Sequence, residues 1–160
     1  DTLRLIHDAR HMGRLPDFAD PLFRKLNATY LSYVDLPDLA TFPEMKRDER
    51  GWLFELIKSS FAGQIFVSTT KPGKKRGNHY HDTKVEKFCL VKGQARISFK
   101  KVGTEEHFNV DVDDSAIRIV DIPPGYTHAL ENTGKDDCIF LFWASEIFDP
   151  SRPDTYYLEV

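Results

Sequence analysis

The chain has 160 residues, 41% apolar and 12% aromatic against 29% charged, with a formal net charge of −3. Those proportions exclude a disordered or collagen-like chain, and a domain of this length buries roughly 70% of its unfolded surface without disulfide staples. The acidic balance offers no basic face for nucleic acid, and no apolar run reaches the roughly 20 residues of a membrane-spanning helix, so neither is an expected partner. No leader peptide precedes the first charged residues. Cys89 and Cys138 sit in apolar, strand-like surroundings that suit reduced thiols. The expectation is a cytoplasmic domain. Opening on Asp1 rather than Met, the chain is expected to be a piece of a longer protein.

Leu3, Leu5, Ile6 and Ala9 recur at helical spacing and predict a helix over Thr2 to Met12, ending near Gly13. Asp20 before Pro21 reads as the N-cap and first position of a second helix carried by Leu22 to Tyr33. Pro37 and Pro43 break Val34 to Phe42 into an extended connector. A boundary near residue 45 then separates a helical segment and linker (1–45) from a larger unit (46–160). From Gly51 onward the hydrophobic period is two. Gln64 to Thr70, Glu86 to Val91, Ala95 to Val102, Ala116 to Ile122 and Cys138 to Ser145 predict strands, divided by glycine, proline or charged turns. Short strands at such spacing make a mainly β sandwich or barrel. There is no G-x-G-x-x-G and no P-loop, so no familiar dinucleotide or ATP site.

The chemistry concentrates in two short motifs. His79 and His81 are two apart, which on a strand turns both imidazoles to one face. After a tight turn at Asp82 to Lys84, the next strand can return Glu86 to that side. In Pro123-Pro124-Gly125-Tyr126-Thr127-His128, Pro124 and Gly125 fit the middle of a type II turn, which aims His128 back from a distant strand. His79, His81, Glu86 and His128 make a donor set for a divalent transition ion with a position left open.

These motifs resemble the two cupin motifs. Gly73-x5-His79-x-His81-x4-Glu86-x6-Gly93 matches the first throughout; Pro123-x-Gly125-x2-His128-x3-Asn132 matches the second, with Ile117 where that motif begins with glycine. The resemblance implies a cupin double-stranded β-helix, or jelly-roll barrel, here with an N-terminal helical segment. Wider stretches are similar to a narrower group. Arg76-Gly77-Asn78-His79-Tyr80-His81, Thr83-Lys84-x-Glu86-Lys87-Phe88, Val120 to His128 and Phe142 to Pro150 resemble the C-terminal epimerase domain of the bifunctional capsular polysaccharide enzymes of the CapF/WbjC type. Leu26-x-x-Thr29-Tyr30-Leu31-Ser32-Tyr33 resembles the end of their reductase domain. The resemblance implies C3 epimerisation of a UDP-4-keto-6-deoxy-N-acetylhexosamine, zinc as the metal (with iron, manganese or nickel as substitutes) and a homodimer. The nicotinamide-dependent reductase domain is absent, so no reduction is expected of this chain.

Epimerisation beside a ketone requires a proton carrier that is not a metal ligand; Lys84, two before Glu86, and Tyr126, in the turn before His128, are the candidates. Lys71, Lys74, Lys75, Arg76, Lys84 and Lys87 stand against only Asp82 and Glu86 between residues 71 and 87, a local patch suited to a diphosphate. Arg76 is the preferred phosphate contact for its planar bidentate geometry, with Lys71 and Tyr80 as further substrate-binding candidates. Phe140, Phe142 and Trp143 are expected to fill the barrel or a dimer face, and Asp149 to Asp154 to latch onto a partner subunit. His7, His11 and His107 lie outside both motifs. Two other readings compete: another metal cupin enzyme, an iron dioxygenase or a sugar isomerase, and a non-catalytic cupin serving dimerisation and substrate handover.

Overall fold

A computed structural model describes residues 2–160. The first helix, α1 (Thr2–His11), buries only Ile6. The second, α2 (Pro21–Ser32), begins as its sequence dictates: the Asp20 carboxylate accepts the backbone N–H groups of Leu22 and Phe23, with proline in the first turn. The connector departs from expectation. Within the expected extended connector, Leu36–Leu39 forms a turn of 3₁₀ helix, because a proline needs no N–H partner in a first turn and so permits what it forbids in a helix interior. Beyond α1 the chain is pinned to the barrel by Leu15 N–H on Lys58 O at 2.8 Å and Lys58 N–H on Gly13 O at 3.2 Å. No helix among the described residues is long and apolar enough to cross a membrane.

Eleven strands follow, β1 (Lys46–Asp48), β2 (Gly51–Ser59), β3 (Gly63–Thr70), β4 (Lys75–Tyr80), β5 (Glu86–Lys92), β6 (Gln94–Lys101), β7 (His107–Asp113), β8 (Ile119–Ile122), β9 (Tyr126–Asn132), β10 (Cys138–Ala144) and β11 (Tyr156–Tyr157). They form two antiparallel sheets, ordered β1-β2-β3-β10-β5-β8 and β11-β4-β9-β6-β7. Every predicted strand is present, although residues 116–118 stay outside β8. The run over β7 escaped the periodicity because most of its side chains face solvent; only Val112 is buried.

Alternation decides what fills the barrel. Along β10, Cys138, Phe140, Phe142 and Ala144 point inward while Ile139, Leu141 and Trp143 point the other way. Phe140 and Phe142 enter the core as expected, and Phe142 stacks on Phe66 of β3 with centroids 4.7 Å apart. Trp143 does not; its indole N–H donates to Ala62 O at 2.8 Å. Both cysteines are free thiols, Cys138 buried and Cys89 half-buried.

Candidate metal centre

Strands β4 and β9 lie side by side with His79 opposite His128. That closeness requires a glycine: a Cβ on Gly77 would lie 2.6 Å from the His128 carbonyl oxygen, and its φ of +98° favours no side chain. The pairing slips between Gly77 and His79, and Asn78 adopts φ +60°. This bulge re-aims the end of β4. The turn before β9 is as predicted, with Gly125 at φ +76°. It also binds the other motif, since Gly125 N–H donates to His81 O at 2.9 Å. Glu86 opens β5 on the facing sheet.

One ligand atom from each of His79, His81, Glu86 and His128 lies within 4.8 Å of all the others. His81, His128 and Glu86 are buried, at 2%, 0% and 7% exposure, and His79 is half-buried. His81 Nδ1 lies 2.6 Å from the Asp154 carbonyl oxygen, which can only accept, so Nδ1 carries the proton. In the neutral ring Nε2 is therefore a bare lone pair, 3.1 Å from the Glu86 carboxylate. His128 Nε2 lies 3.4 Å from the same oxygen, yet makes no hydrogen bond although fully buried. Lone pairs converging on one another in a low dielectric repel unless a cation sits among them. The donor set therefore fits a divalent transition ion, the tautomer of His81 being fixed from outside as metal-binding imidazoles require.

The titration of the cluster is consistent with this. Burial, and then the charge of His128, pushes His79 down to about 4, so the imidazole is neutral and ready to ligate near pH 7. Burial by itself would raise the Glu86 carboxyl, but positive charge and N–H groups on His128 and His81 outweigh it and hold it at about 2; with those rings neutral, a bound cation would take over that role.

The C-terminal tail, expected to latch onto a partner subunit, makes its contacts here with its own chain. The segment folds back on its own chain. Asp154, at φ +39°, accepts the N–H groups of Asp82, Thr83 and Lys84 at 2.9, 3.0 and 2.7 Å. This is the turn that separates His81 from Glu86. Strand β11 pairs with β4, placing Tyr156 opposite Tyr80 and Tyr157 opposite His79. The unpaired N–H groups of that turn and the open edge of β4 explain why the tail finds its partners here.

A cavity of about 210 Å³ opens onto the cluster, lined by His79, Glu86 and His128 together with Phe66, Phe88, Phe142, Leu53, Leu130, Gly77, Ser68, Arg50 and Arg76. Of the predicted substrate contacts, only Arg76 lines it. Its bidentate fork is already engaged: Nε donates to Thr70 Oγ1 at 3.1 Å and Nη2 to Thr69 O at 3.0 Å. Lys71 is exposed. Tyr80 faces away from the histidines and stacks on Tyr156, centroids 5.2 Å apart. Lys84 is buried, its ammonium donating to Pro153 O at 2.8 Å and Thr155 Oγ1 at 3.0 Å, behind His81 rather than on the cavity wall. Tyr126 packs against the core. The basic patch disperses, with Lys87 paired to Asp121 and Lys75 to Glu131. His7 and His11 lie against each other on α1 with tilted rings, centroids 4.1 Å apart, away from the cluster. Ser68 and Arg50 on the cavity wall were missed, as was the contact of Asp154 with the turn at residues 82–84. Only the inward period of β3 signalled Ser68, and nothing local signalled the other two.

Two facing antiparallel sheets around a three-histidine, one-glutamate cluster define a cupin barrel. The chain belongs to the polysaccharide biosynthesis C-terminal domain family, which it matches over residues 46–156. It is 38% identical over 139 residues to a UDP-2-acetamido-2,6-beta-L-arabino-hexul-4-ose reductase of Pseudomonas aeruginosa, covering 87% of this chain and 37% of that protein. It is 41% identical to the capsular polysaccharide assembling protein CapF of Staphylococcus aureus, with a TM-score of 0.96 over 100% of this chain and 43% of that one. The cupin domain of Drosophila melanogaster CENP-C, 12% identical with a TM-score of 0.51 over 64% of this chain and 75% of that one, shares the fold alone. The chain thus spans less than half the length of the two sequence relatives.

Proposed function

We propose that this chain is the metal-dependent epimerase domain of a sugar-nucleotide enzyme, acting at C3 of a UDP-4-keto-6-deoxy-N-acetylhexosamine on the way to capsular or O-antigen polysaccharide. The observation that carries the reading is the buried convergence of His79, His81, Glu86 and His128 on one cavity. Likeness to a 4-ulose reductase and to CapF supports the substrate class. On this reading residues 1–45 are the end of a reductase-type domain, residues 46–160 the cupin, and the working protein is a cytoplasmic homodimer.

A divalent ion in the cluster, zinc or a first-row substitute, supplies a Lewis acid for the carbonyl oxygen beside the epimerised carbon. The protein supplies the rest. Neutral imidazoles and an ionised Glu86 hold the ion's position, and the outer ring nitrogen of His81 is locked by the tail. Phe66, Phe88, Phe142 and Leu130 exclude water, which strengthens every charge interaction in the cavity. The cavity is smaller than the roughly 300–1,000 Å³ of pockets for drug-sized ligands, so it suits the sugar end of a nucleotide sugar with the diphosphate toward its mouth. Lys71 and Tyr80, outside the cavity, can meet only the nucleotide end. Epimerisation takes the C3 proton from one face and returns a proton to the other. Lys84 and Tyr126 are the proposed carriers; the Lys84 ammonium, held on Pro153 O and Thr155 Oγ1, would have to leave those partners to reach the sugar, because neither residue lines the cavity.

The test is product formation from the 4-keto substrate, trapped by borohydride and resolved by NMR. The reading expects a C3 epimer from the parent chain and its loss in Glu86→Gln. No epimer from the folded, metal-loaded parent chain would favour the handover cupin instead, full epimer formation by Glu86→Gln would contradict the role of the cluster, and oxygen uptake on candidate substrates would favour a dioxygenase.

A further inference from the structure

Two buried side-chain polar atoms among the described residues lack a hydrogen-bond partner, His128 Nε2 and Ser68 Oγ, and both residues line the same cavity. The first belongs to the metal cluster. The second has no such explanation. Ser68 is 1% exposed on the inward face of β3, and a buried hydroxyl left unpaired is costly.

Strand register shows where it sits. Glu86 lies opposite Ala144, whereas Ser68 lies opposite Phe140, four positions further along β10. That is about 13 Å along the sheet. Ser68 therefore belongs to the end of the cavity remote from the cluster. Arg76 reaches the same region, anchored on Thr69 O and Thr70 Oγ1. These bonds leave Nη1 as the guanidinium nitrogen without a protein partner among the described residues. Arg50 also lines the cavity. Its guanidinium and that of Arg76 share one carboxylate, Asp48, at 2.5 and 3.8 Å. Asp48 and the nearby Glu49 offset the charge of the two arginines, so what this end of the cavity offers is directed donors, the Ser68 hydroxyl and Arg76 Nη1.

We propose that Ser68, Arg76 and Arg50 form an oxyanion subsite at the far end of the cavity, in which the Ser68 hydroxyl and the free face of Arg76 donate to a phosphoryl oxygen of the bound nucleotide sugar. The proposal rests on the nucleotide-sugar reading above. Sequence reasoning named Arg76 as a bidentate phosphate contact; the anchored fork makes it a single-sided one and brings in Ser68 as its partner.

The two sides of the test have opposite signs. Ser68→Ala removes an unpaired buried hydroxyl, so the ligand-free protein should melt at the parent temperature or above. Binding of UDP-N-acetylglucosamine to the as-purified full chain, measured by calorimetry, should weaken about tenfold, the scale of a hydrogen bond to a charged group. Arg50→Gln should weaken it as well while keeping the hairpin fold. Unchanged nucleotide-sugar affinity in Ser68→Ala overturns the subsite and leaves the epimerase reading standing. A lowered melting temperature with unchanged affinity makes Ser68 a packing residue and overturns it too. A parent chain that holds metal yet binds no nucleotide sugar overturns the substrate reading itself, and the subsite with it.

Discussion

Replacing Asp154 by alanine tests how far the metal centre depends on a residue some 70 positions downstream of its ligands. The carboxylate accepts three backbone N–H groups and the Thr83 hydroxyl, and the backbone carbonyl of Asp154 itself, which alanine retains, accepts from His81 Nδ1. A hydrogen bond to a charged group contributes about 1.5–3 kcal/mol, but four on one partly exposed carboxylate are not additive. Alanine also tolerates the left-handed backbone there poorly, at roughly 1 kcal/mol. Part of this loss falls on the folded tail, and part on the orientation of His81. Loss of such an outer partner costs 10–100-fold in metal affinity, or about 1.4–2.7 kcal/mol. The assay is competition for Zn²⁺ against a chromophoric chelator, with the melting temperature of the metal-free protein measured alongside. Asp154→Asn, which retains one acceptor oxygen and tolerates the backbone, should fall between parent and alanine. Parent-like zinc affinity in Asp154→Ala would refute the claim that the tail orients the ligand.

Two further predictions concern the same cluster. His79 is held at about 4 against an ordinary 6.5, and Glu86 at about 2 against 4.5. Between pH 4 and 6.5 the unfolded chain therefore binds a proton at His79 that the folded chain does not. Stability rises with pH across that window and is lost as pH falls through it, while the contribution of Glu86 is lost further down, from about 4.5 toward 2. The metal-free protein should accordingly melt at progressively lower temperature from pH 6.5 to pH 4; a flat profile would contradict the assignment. Gly77→Ala should separate β4 from β9, because its Cβ would sit 2.6 Å from the His128 carbonyl. Metal content per chain, read by elemental analysis, should collapse, and unaltered content would show that the close approach is dispensable.

Local chemistry made most of the fold and all four residues of the candidate metal cluster legible. The period of two along β5, β6 and β10, the Asp20–Pro21 cap and the Pro124–Gly125 turn each act over a few residues, and each is found where its pattern stands. The i, i+2 relation of His79 and His81 survives even though His81 lies just beyond the end of β4. What escaped is long-range. Asp154 meets the 82–84 turn only through the return of the tail, and Arg50 reaches the cavity only because the β1–β2 hairpin joins the edge of the sheet beside β3. Lys84 shows the limit from the other side. Its position two before Glu86 made it a candidate proton carrier, but the tail captures its ammonium on Pro153 and Thr155. Lys71 and Tyr80 are near the motif in sequence and outside the cavity in space: Lys71 lies exposed in the turn between β3 and β4, and Tyr80 alternates faces with His79 and His81.

The central claim is that this chain exchanges the proton at C3 of a keto-sugar nucleotide with the help of a metal in the His79–His81–Glu86–His128 site. The most direct measurement is deuterium incorporation, by mass spectrometry, into a UDP-4-keto-6-deoxy-N-acetylhexosamine incubated with the protein in heavy water, with and without a chelator. The account predicts enzyme-dependent exchange at C3 that the chelator abolishes and added zinc restores. Absence of exchange by a folded, metal-loaded sample, or exchange indifferent to the chelator, would contradict it.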